Sequence, residues 1–454
     1  MNITKEINRT MFREYDLRGI YKTDINEDVS YTIGRSFGSY LKEKNIQETV
    51  VGYDNRLSSP SIADAVIQGI TDSGVDVITP GLVTTPMYYY TKYFYKKDTG
   101  IMITASHNPK EYNGFKISFD AIGNAYGQSI QDFYEYTIKG NFQTGKGNVT
   151  FVSIEEDYIN FLLEKLTIDK SLKVVIDCGN GTGAIIAKQI FDRLGITYYP
   201  LYCESDGNFP NHHPDPSIDD NMRDLQQKVL ELNYDVGLAF DGDADRIGVV
   251  DNQGNIIKPD IYMLLMARDL KNNLNENKLL FDVKCSKSLI DELEKLNITP
   301  VMYRTGASYT NRMVKEGNFT FGGEYSGHVF FRDKWPGFDD GIYAGLRLLE
   351  LLSKEKKPFH QLLEGINPYY FYDYNMPVEE DKKEEVMEKV KQYVDEKGYN
   401  YLSIDGVRVT FLDGWVLIRK SNTTPILTIR FEAKTETRVE ELKKEFLPKL
   451  ESFL

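Results

Sequence analysis

Three carboxylates stand at alternate positions in Asp241-Gly-Asp-Ala-Asp-Arg246, between the apolar runs Val236 to Phe240 and Ile247 to Val250. If the loop curls, they converge on one hard cation. Without a cation they repel one another, and the plainer alternative is a solvated acidic turn. An EF-hand is excluded, because counting from Asp241 puts Arg246 where that motif needs Gly and Asn252 where it needs Glu. The loop Thr104-Ala-Ser-His-Asn-Pro109 follows Gly100-Ile-Met-Ile103. Ser106 thus stands at the carboxyl end of a strand, where α/β proteins place ligands, unless this is only a capping turn. A hydrolase nucleophile is disfavoured: G-x-S-x-G is missing, and Ser106 and His107 point apart on an extended backbone. In Gly322-Gly-Glu-Tyr-Ser-Gly-His328, the groups of Glu324, Ser326 and His328 suit sugar hydroxyls, or else make a Gly-rich hairpin with a satisfied histidine. Arg419-Lys-Ser-Asn-Thr-Thr-Pro425 joins a guanidinium to Ser421, Asn422 and Thr423, a phosphate cradle or an ordinary polar turn. Arg430 lies on the strand after it.

The elements around these residues alternate. Val50 to Tyr53 reads as a buried strand, Ser58 to Thr71 as a helix and Val75 to Ile78 as a strand, a βαβ unit with a parallel sheet. The pattern restarts near residue 152, with a helix at 154–166 and strands at 172–177, 197–202 and 234–240. A third unit comes after Asn252-Gln-Gly-Asn255, with helices at 260–270 and 286–296 and strands at 278–283 and 299–303. After the charged linker Val378 to Glu384 come a helix ending near Lys397, hairpin signals at Asp405-Gly406 and Asp413-Gly414, a strand at 426–433 and a last helix from Thr437. The expected architecture is α/β: three similar α/β domains (1–151, 152–254, 255–367) and a C-terminal α+β domain (368–454). Length alone predicts about three domains.

Composition removes several function classes. The chain of 454 residues has 54 Lys and Arg against 68 Asp and Glu, a formal charge of −14, which disfavours binding to nucleic acid or an acidic membrane. A local basic pocket for a small anion remains compatible with that total. Three cysteines without CxxC exclude a disulfide scaffold and a Cys-type zinc site. No signal peptide and no membrane-length apolar run is visible, so a cytoplasmic protein is expected. Gly179-Asn-Gly-Thr-Gly-Ala184 fits the loose dinucleotide pattern, with Glu204 further on, and is equally a tight strand-to-helix turn. His212-His213 lacks a third spaced ligand and reads as a loop stabiliser.

A nucleophilic serine, a carboxylate metal loop, a sugar reader and a phosphate clamp together serve phosphoryl transfer on a sugar phosphate. At these residues, and at Phe12-Arg-Glu-Tyr-Asp-Leu-Arg-Gly19 and Tyr112-Asn-Gly-Phe-Lys116, the chain resembles the α-D-phosphohexomutase family, in its bacterial phosphomannomutase/phosphoglucomutase branch. The resemblance runs over essentially the whole chain. It implies four domains around a central active-site cleft, and interconversion of hexose 1-phosphate and hexose 6-phosphate through a 1,6-bisphosphate. It implies a phosphoryl group on Ser106, and Mg²⁺ held by Asp241, Asp243, Asp245 and an oxygen on Ser106. Lys116 would assist proton transfer, and Arg18 and Arg246 would stabilise the moving phosphoryl. Lys284 and His328 would face the sugar, His328 also counting as catalytic, and Tyr15 would contact substrate. Glu324 and Ser326 would bind O3 and O4, and Arg419, Ser421, Asn422 and Thr423 the distal phosphate. The hexose 1,6-bisphosphate would act as activator, the partners would be small sugar phosphates, and the chain would be a monomer.

Many relatives carry His after Thr-Gly in a sugar-facing loop, where this chain has Arg304-Thr-Gly-Ala307, so a polar sugar contact is expected to be lost. Phosphoglucosamine mutases typically show Gln in the sugar loop, and Tyr325 with Ser421-Asn-Thr423 argues against that branch. Two rivals stay open at this level: a dinucleotide-dependent oxidoreductase built on Gly179 to Ala184, and a catalytically silent sugar-phosphate binder.

Overall fold

A computed structural model describes residues 1–421 and 425–454. The chain forms two compact units, Met1–Pro259 with Ser326–Leu362, and Asp260–Tyr325 with Leu363–Leu454.

The first unit holds two sheets. One runs in the order Leu17–Ile20, Tyr112–Ser118, Gly100–Ile103, Glu48–Tyr53, Asp76–Leu82, Val149–Phe151. Its Glu48–Tyr53 strand is parallel to both neighbours, in line with a βαβ unit. The sheet is nonetheless mixed, because Tyr112–Ser118 and Leu17–Ile20 pair antiparallel at one edge. Both strands hide from a hydropathy pattern, since they bury Arg18, Asn113 and Lys116 among apolar residues. Helix Glu27–Glu43, also unexpected, buries an apolar stripe of Val29, Ile33, Phe37 and Leu41 together with Ser30, Ser36 and Ser39. The second sheet runs Ile256–Ile257, Ile247–Asp251, Val236–Phe240, Lys173–Asp177, Thr197–Leu201. A short 3₁₀ turn at Thr182–Ile185 precedes helix Ala187–Leu194, so the glycine run does lead from strand to helix.

Capping and close packing hold the neighbouring helices in place. Thr84 caps helix Thr85–Phe94 by accepting the N–H of Met87, with Pro86 in the first turn. Asp340 caps helix Gly341–Glu355 in the same way through Tyr343 N–H. That helix packs on the second sheet, where a Cβ added at Gly345 would stand 2.9 Å from Leu238 Cδ1, which ties Ser326–Leu362 to the first unit.

The second unit holds a parallel trio, Thr299–Tyr303, Lys278–Asp282 and Phe321–Gly323. Its other sheet is antiparallel, in the order Tyr370–Pro377, Ile426–Ala433, Gly414–Lys420, Val407–Thr410, Tyr401–Leu402. The turn signals do join its paired strands: Asp405-Gly406 falls between Tyr401–Leu402 and Val407–Thr410, and Asp413-Gly414 leads into Gly414–Lys420. Helices Lys383–Glu396 and Glu436–Glu451 close the core, contributing Val390, Leu442 and Phe446 to the same cluster as the sheet residue Phe431. Among the described residues no helix is long and apolar enough to cross a membrane.

Candidate active site

Strand register places the basic residues first. Arg18 lies opposite Gly114 and Met102 opposite Lys116. Residues two apart share a face, so Arg18 and Lys116 project from the same side of the sheet. The chain then leaves strand Gly100–Ile103 into the Ser106 loop. Ser106 is 1% exposed and has φ +49°, a left-handed conformation costly for a residue with a Cβ. Its hydroxyl donates to Asp241 Oδ2 at 2.8 Å and lies 3.2 Å from His107 Nδ1.

The acidic loop joins the antiparallel strands Val236–Phe240 and Ile247–Asp251, with Phe240 opposite Ile247. The loop curls: Asp241, Asp243 and Asp245 are all fully buried, each with a carboxylate oxygen within 4.8 Å of the others. Asp243 Oδ2 accepts from Thr85 Oγ1 (2.7 Å), Thr104 Oγ1 (3.1 Å) and Lys116 Nζ (2.9 Å). Lys116 also donates to Asp245 Oδ2. The remaining oxygens, Asp243 Oδ1 and Asp245 Oδ1, are buried with no hydrogen-bond partner. Each such orphan costs about 1–3 kcal/mol unless something fills the gap. An all-oxygen donor set with two unfilled acceptors fits a hard divalent cation.

The electrostatics agree. Burial, with the charges of Asp245 and Asp243, holds the Asp241 carboxyl well above the usual range. Burial and Asp243 also raise Asp245. At Asp243 burial pushes up too, but Lys116 and the Thr85 hydroxyl outweigh it and hold the group below the usual range. Burial opposes the Lys116 charge, and Asp243 and Asp245 more than reverse that, raising its pKa well above normal. Lys116 thus pairs with Asp243 and Asp245, and the Arg246 guanidinium lies 3.7 Å from Asp241, so two cations face three mutually repelling carboxylates.

Two arginines flank the loop. Arg18 Nε donates to Asp16 (2.7 Å) and Nη1 to Asn108 Oδ1 (2.6 Å). Arg246 Nε donates to His328 Nε2 at 2.9 Å and lies 3.7 Å from Asp241 Oδ2. His328 Nδ1 lies 2.8 Å from Asp339 Oδ2 and 3.5 Å from Asp245 Oδ1. Asp245, His328 and Asp339 have metal-ligand spacing. His328 is buried and braces Arg246. Tyr15, beside Arg18, and Ser326 are half-buried in the same unit.

The other expected residues belong to the second unit. Glu324 is buried, and its Oε1 accepts from Gly306 N–H (3.0 Å) and the Thr310 hydroxyl. Lys284 Nζ lies 3.5 Å from Asp282 Oδ2 and keeps a quarter of its side chain exposed. Arg419 pairs with Asp405 at 3.1 Å, and the Ser421 carbonyl accepts from Lys383 Nζ. Arg430 grips Asp373 and stacks over the Tyr325 ring. Ala307 opens helix Ala307–Glu316. Asn422 and Thr423 lie outside the described residues.

The glycine turn at 179–184 has a packing role. Thr182 N–H and Oγ1 both donate to the Gly242 carbonyl, and a Cβ at Gly181 would meet that oxygen at 2.7 Å. The turn thus buttresses the acidic loop. His212 bonds Asp177 and the His213 carbonyl, a loop-stabilising role. Cys178, Cys203 and Cys285 are free and buried. Sequence reasoning missed Thr85, Asp339 and Arg56, which bears on the Ser106 loop. Arg56 carried a legible signal, an Asp-x-Arg directly after strand Glu48–Tyr53.

Gly242 offers a test of the loop packing, since a Cβ there would stand 2.4 Å from the Ser106 carbonyl oxygen. Gly242→Ala is expected to cost about 1–3 kcal/mol in urea unfolding and about 100-fold in kcat, because the acidic and serine loops must separate.

Family models described as phosphoglucomutase/phosphomannomutase alpha/beta/alpha domains I, II and III match residues 9–145, 156–254 and 258–369, and one described as its C-terminal domain matches 374–449. The chain belongs to the phosphoglucomutase/phosphomannomutase family of α-D-phosphohexomutases. A Pseudomonas aeruginosa phosphomannomutase/phosphoglucomutase is 41% identical, covering 98% of this chain and 96% of its own. A Neisseria gonorrhoeae phosphoglucomutase is 39% identical over 98% of both chains. The crystal structure of a Burkholderia thailandensis member superposes with TM-score 0.91 at 34% identity, covering 98% of each chain.

Proposed function

We propose that the chain interconverts hexose 1-phosphates and hexose 6-phosphates, accepting both the glucose and mannose series, with Ser106 as the phosphoryl carrier. The observation that carries this reading is the buried Ser106 hydroxyl 2.8 Å from Asp241, beside two partnerless carboxylate oxygens. The family relationship supports it. Phospho-Ser106 gives its phosphoryl to the 6-hydroxyl of a hexose 1-phosphate. The bisphosphate then turns over, and its other phosphoryl returns to Ser106.

Asp241, Asp243 and Asp245 are the residues that would hold Mg²⁺. When bound, it neutralises phosphoryl charge and phosphoserine, which adds about −1.5 to −2 beside them. Lys116 is placed within reach of two of these carboxylates and is assigned the proton of the reacting hydroxyl. Arg18 and Arg246 are assigned the transferring oxygens, and His328 keeps Arg246 oriented. Lys284, Glu324 and Ser326 are assigned to the sugar, with Tyr15 as a further contact. Arg419, Ser421, Asn422 and Thr423 are assigned to the non-reacting phosphate. Glucose and mannose differ only at C2, which a loop reading O3 and O4 does not distinguish. The protein acts as a cytoplasmic monomer on small sugar phosphates.

The test is treatment with glucose 1,6-bisphosphate, detection of phospho-Ser106 by mass spectrometry, and turnover assays with glucose and mannose 1-phosphates. Binding without turnover would leave a silent sugar-phosphate binder. Chelation with EDTA is expected to remove turnover by about 100-fold or more and lower Tm, both restored by Mg²⁺.

A further inference from the structure

Arg56 is 1% exposed, yet all five of its guanidinium N–H groups have acceptors. Nε donates to Asp54 Oδ2 at 3.1 Å. Nη1 donates to the carbonyls of Pro109 (2.7 Å) and Tyr112 (3.1 Å), and Nη2 to those of Ser106 (2.8 Å) and Asn108 (2.7 Å). Asp54 also accepts from Arg56 N–H and the Ser59 hydroxyl, which anchors the arginine at the start of helix Ser59–Asp72. Phe209 lies against the guanidinium, 5.4 Å from ring centroid to Cζ.

Four carbonyls from the short stretch 106–112, three in the loop and one at the start of strand Tyr112–Ser118, therefore point at one plane. Buried carbonyls must be paired, and the guanidinium is the one side chain with a fixed fork of five donors. The loop includes Ser106 at φ +49°, and such a conformation persists only where the surroundings over-determine it. No sugar or phosphate group is needed to explain any of the five bonds.

We infer that Arg56 is the positioning residue of the Ser106 loop: it pins the backbone so that Ser106 stays left-handed with its hydroxyl on Asp241, without itself touching substrate. The conformational part stands on the hydrogen bonds alone. The consequence for turnover rests on the reading of Ser106 as phosphoryl carrier.

Arg56→Lys tests this, because an ammonium has three donors in place of five. Hydrogen exchange read by mass spectrometry is expected to quicken at least about tenfold over residues 105–112 and little elsewhere. kcat is expected to fall about 100-fold with KM within about threefold, since the sugar- and phosphate-binding residues are untouched. In Arg56→Ala, added methylguanidinium is expected to recover about tenfold of the lost rate, which a general loss of stability does not predict. Wild-type exchange over 105–112 with wild-type kcat overturns the inference, and so does faster exchange spread evenly over the unit without rescue. If Arg56→Lys fails to fold, Asp54→Asn serves: it frees Nε and leaves the arginine present. Faster exchange confined to 105–112 with a lower kcat supports the inference, and no change in either overturns it. A wild-type protein without phospho-Ser106 or turnover, but with the local exchange change in the variant, overturns the carrier reading and leaves the positioning role standing.

Discussion

Ser106→Ala is expected to lower kcat/KM for hexose 1-phosphate by about 10⁴-fold or more, because no other group accepts the phosphoryl in this mechanism. Binding of the sugar phosphate is expected to survive, since Lys284, Glu324 and Arg419 do not depend on the hydroxyl. Stability should change modestly. Asp241 loses its 2.8 Å donor, at about 1–3 kcal/mol, and Ala keeps the left-handed backbone cost that Ser already bears. Calorimetric titration with glucose 1-phosphate separates the two effects. Intact binding with absent turnover and no 80-Da adduct is the expected result, and full turnover in this variant would sink the carrier reading. The adduct mass follows from a single phosphoryl group, roughly 80 Da.

Lys116→Met is expected to carry the second largest effect, on stability and on rate together. Among the described residues, the ammonium is the only lysine donor to Asp243 and Asp245, both fully buried. Removing one side of a buried ion pair leaves uncompensated charge at about 3–5 kcal/mol. A cation bound by the same carboxylates offsets part of that loss. At 100 times Kd it contributes about 2.7 kcal/mol, and the variant should bind Mg²⁺ more tightly than the parent because the competing ammonium is gone. Urea unfolding with and without Mg²⁺ is the measurement. The expected result is a larger Mg²⁺-dependent shift in Lys116→Met than in the parent, with kcat down about 10²–10⁴-fold. Equal shifts would show that Asp243 and Asp245 do not hold the metal.

The Ser106 loop is legible because it follows an apolar strand, and the Asp241 loop because it sits between two. The glycine turn at 179–184 is ambiguous in sequence for a physical reason. Glycine spacing looks the same whether the backbone must approach a pyrophosphate or another backbone. Here the partner is the Gly242 carbonyl, which lies about sixty residues away in sequence. Asp54-Asn-Arg56 after a strand flags Arg56 as a residue to watch, but its role stays hidden because four of its partners are main-chain carbonyls, which no residue pattern displays. The mixed edge of the first sheet is hidden for a related reason: Arg18 and Lys116 occupy buried positions where hydropathy expects apolar residues.

Residue types and order along the chain are enough to specify the chemistry on offer: a hydroxyl, three carboxylates, a sugar-suited triplet and a phosphate-suited loop. They are also enough for the α/β alternation and the antiparallel C-terminal sheet, because both arise from local periodicity and turn residues. Only folding decided how these groups are engaged. It put Lys116 on two carboxylates, left Asp243 Oδ1 and Asp245 Oδ1 without partners, turned His328 toward Arg246, and pinned the Ser106 loop through Arg56. Those outcomes depend on hydrogen bonds between residues some 50 to 130 positions apart. Such bonds arise from strand register and loop packing, which composition and spacing do not encode.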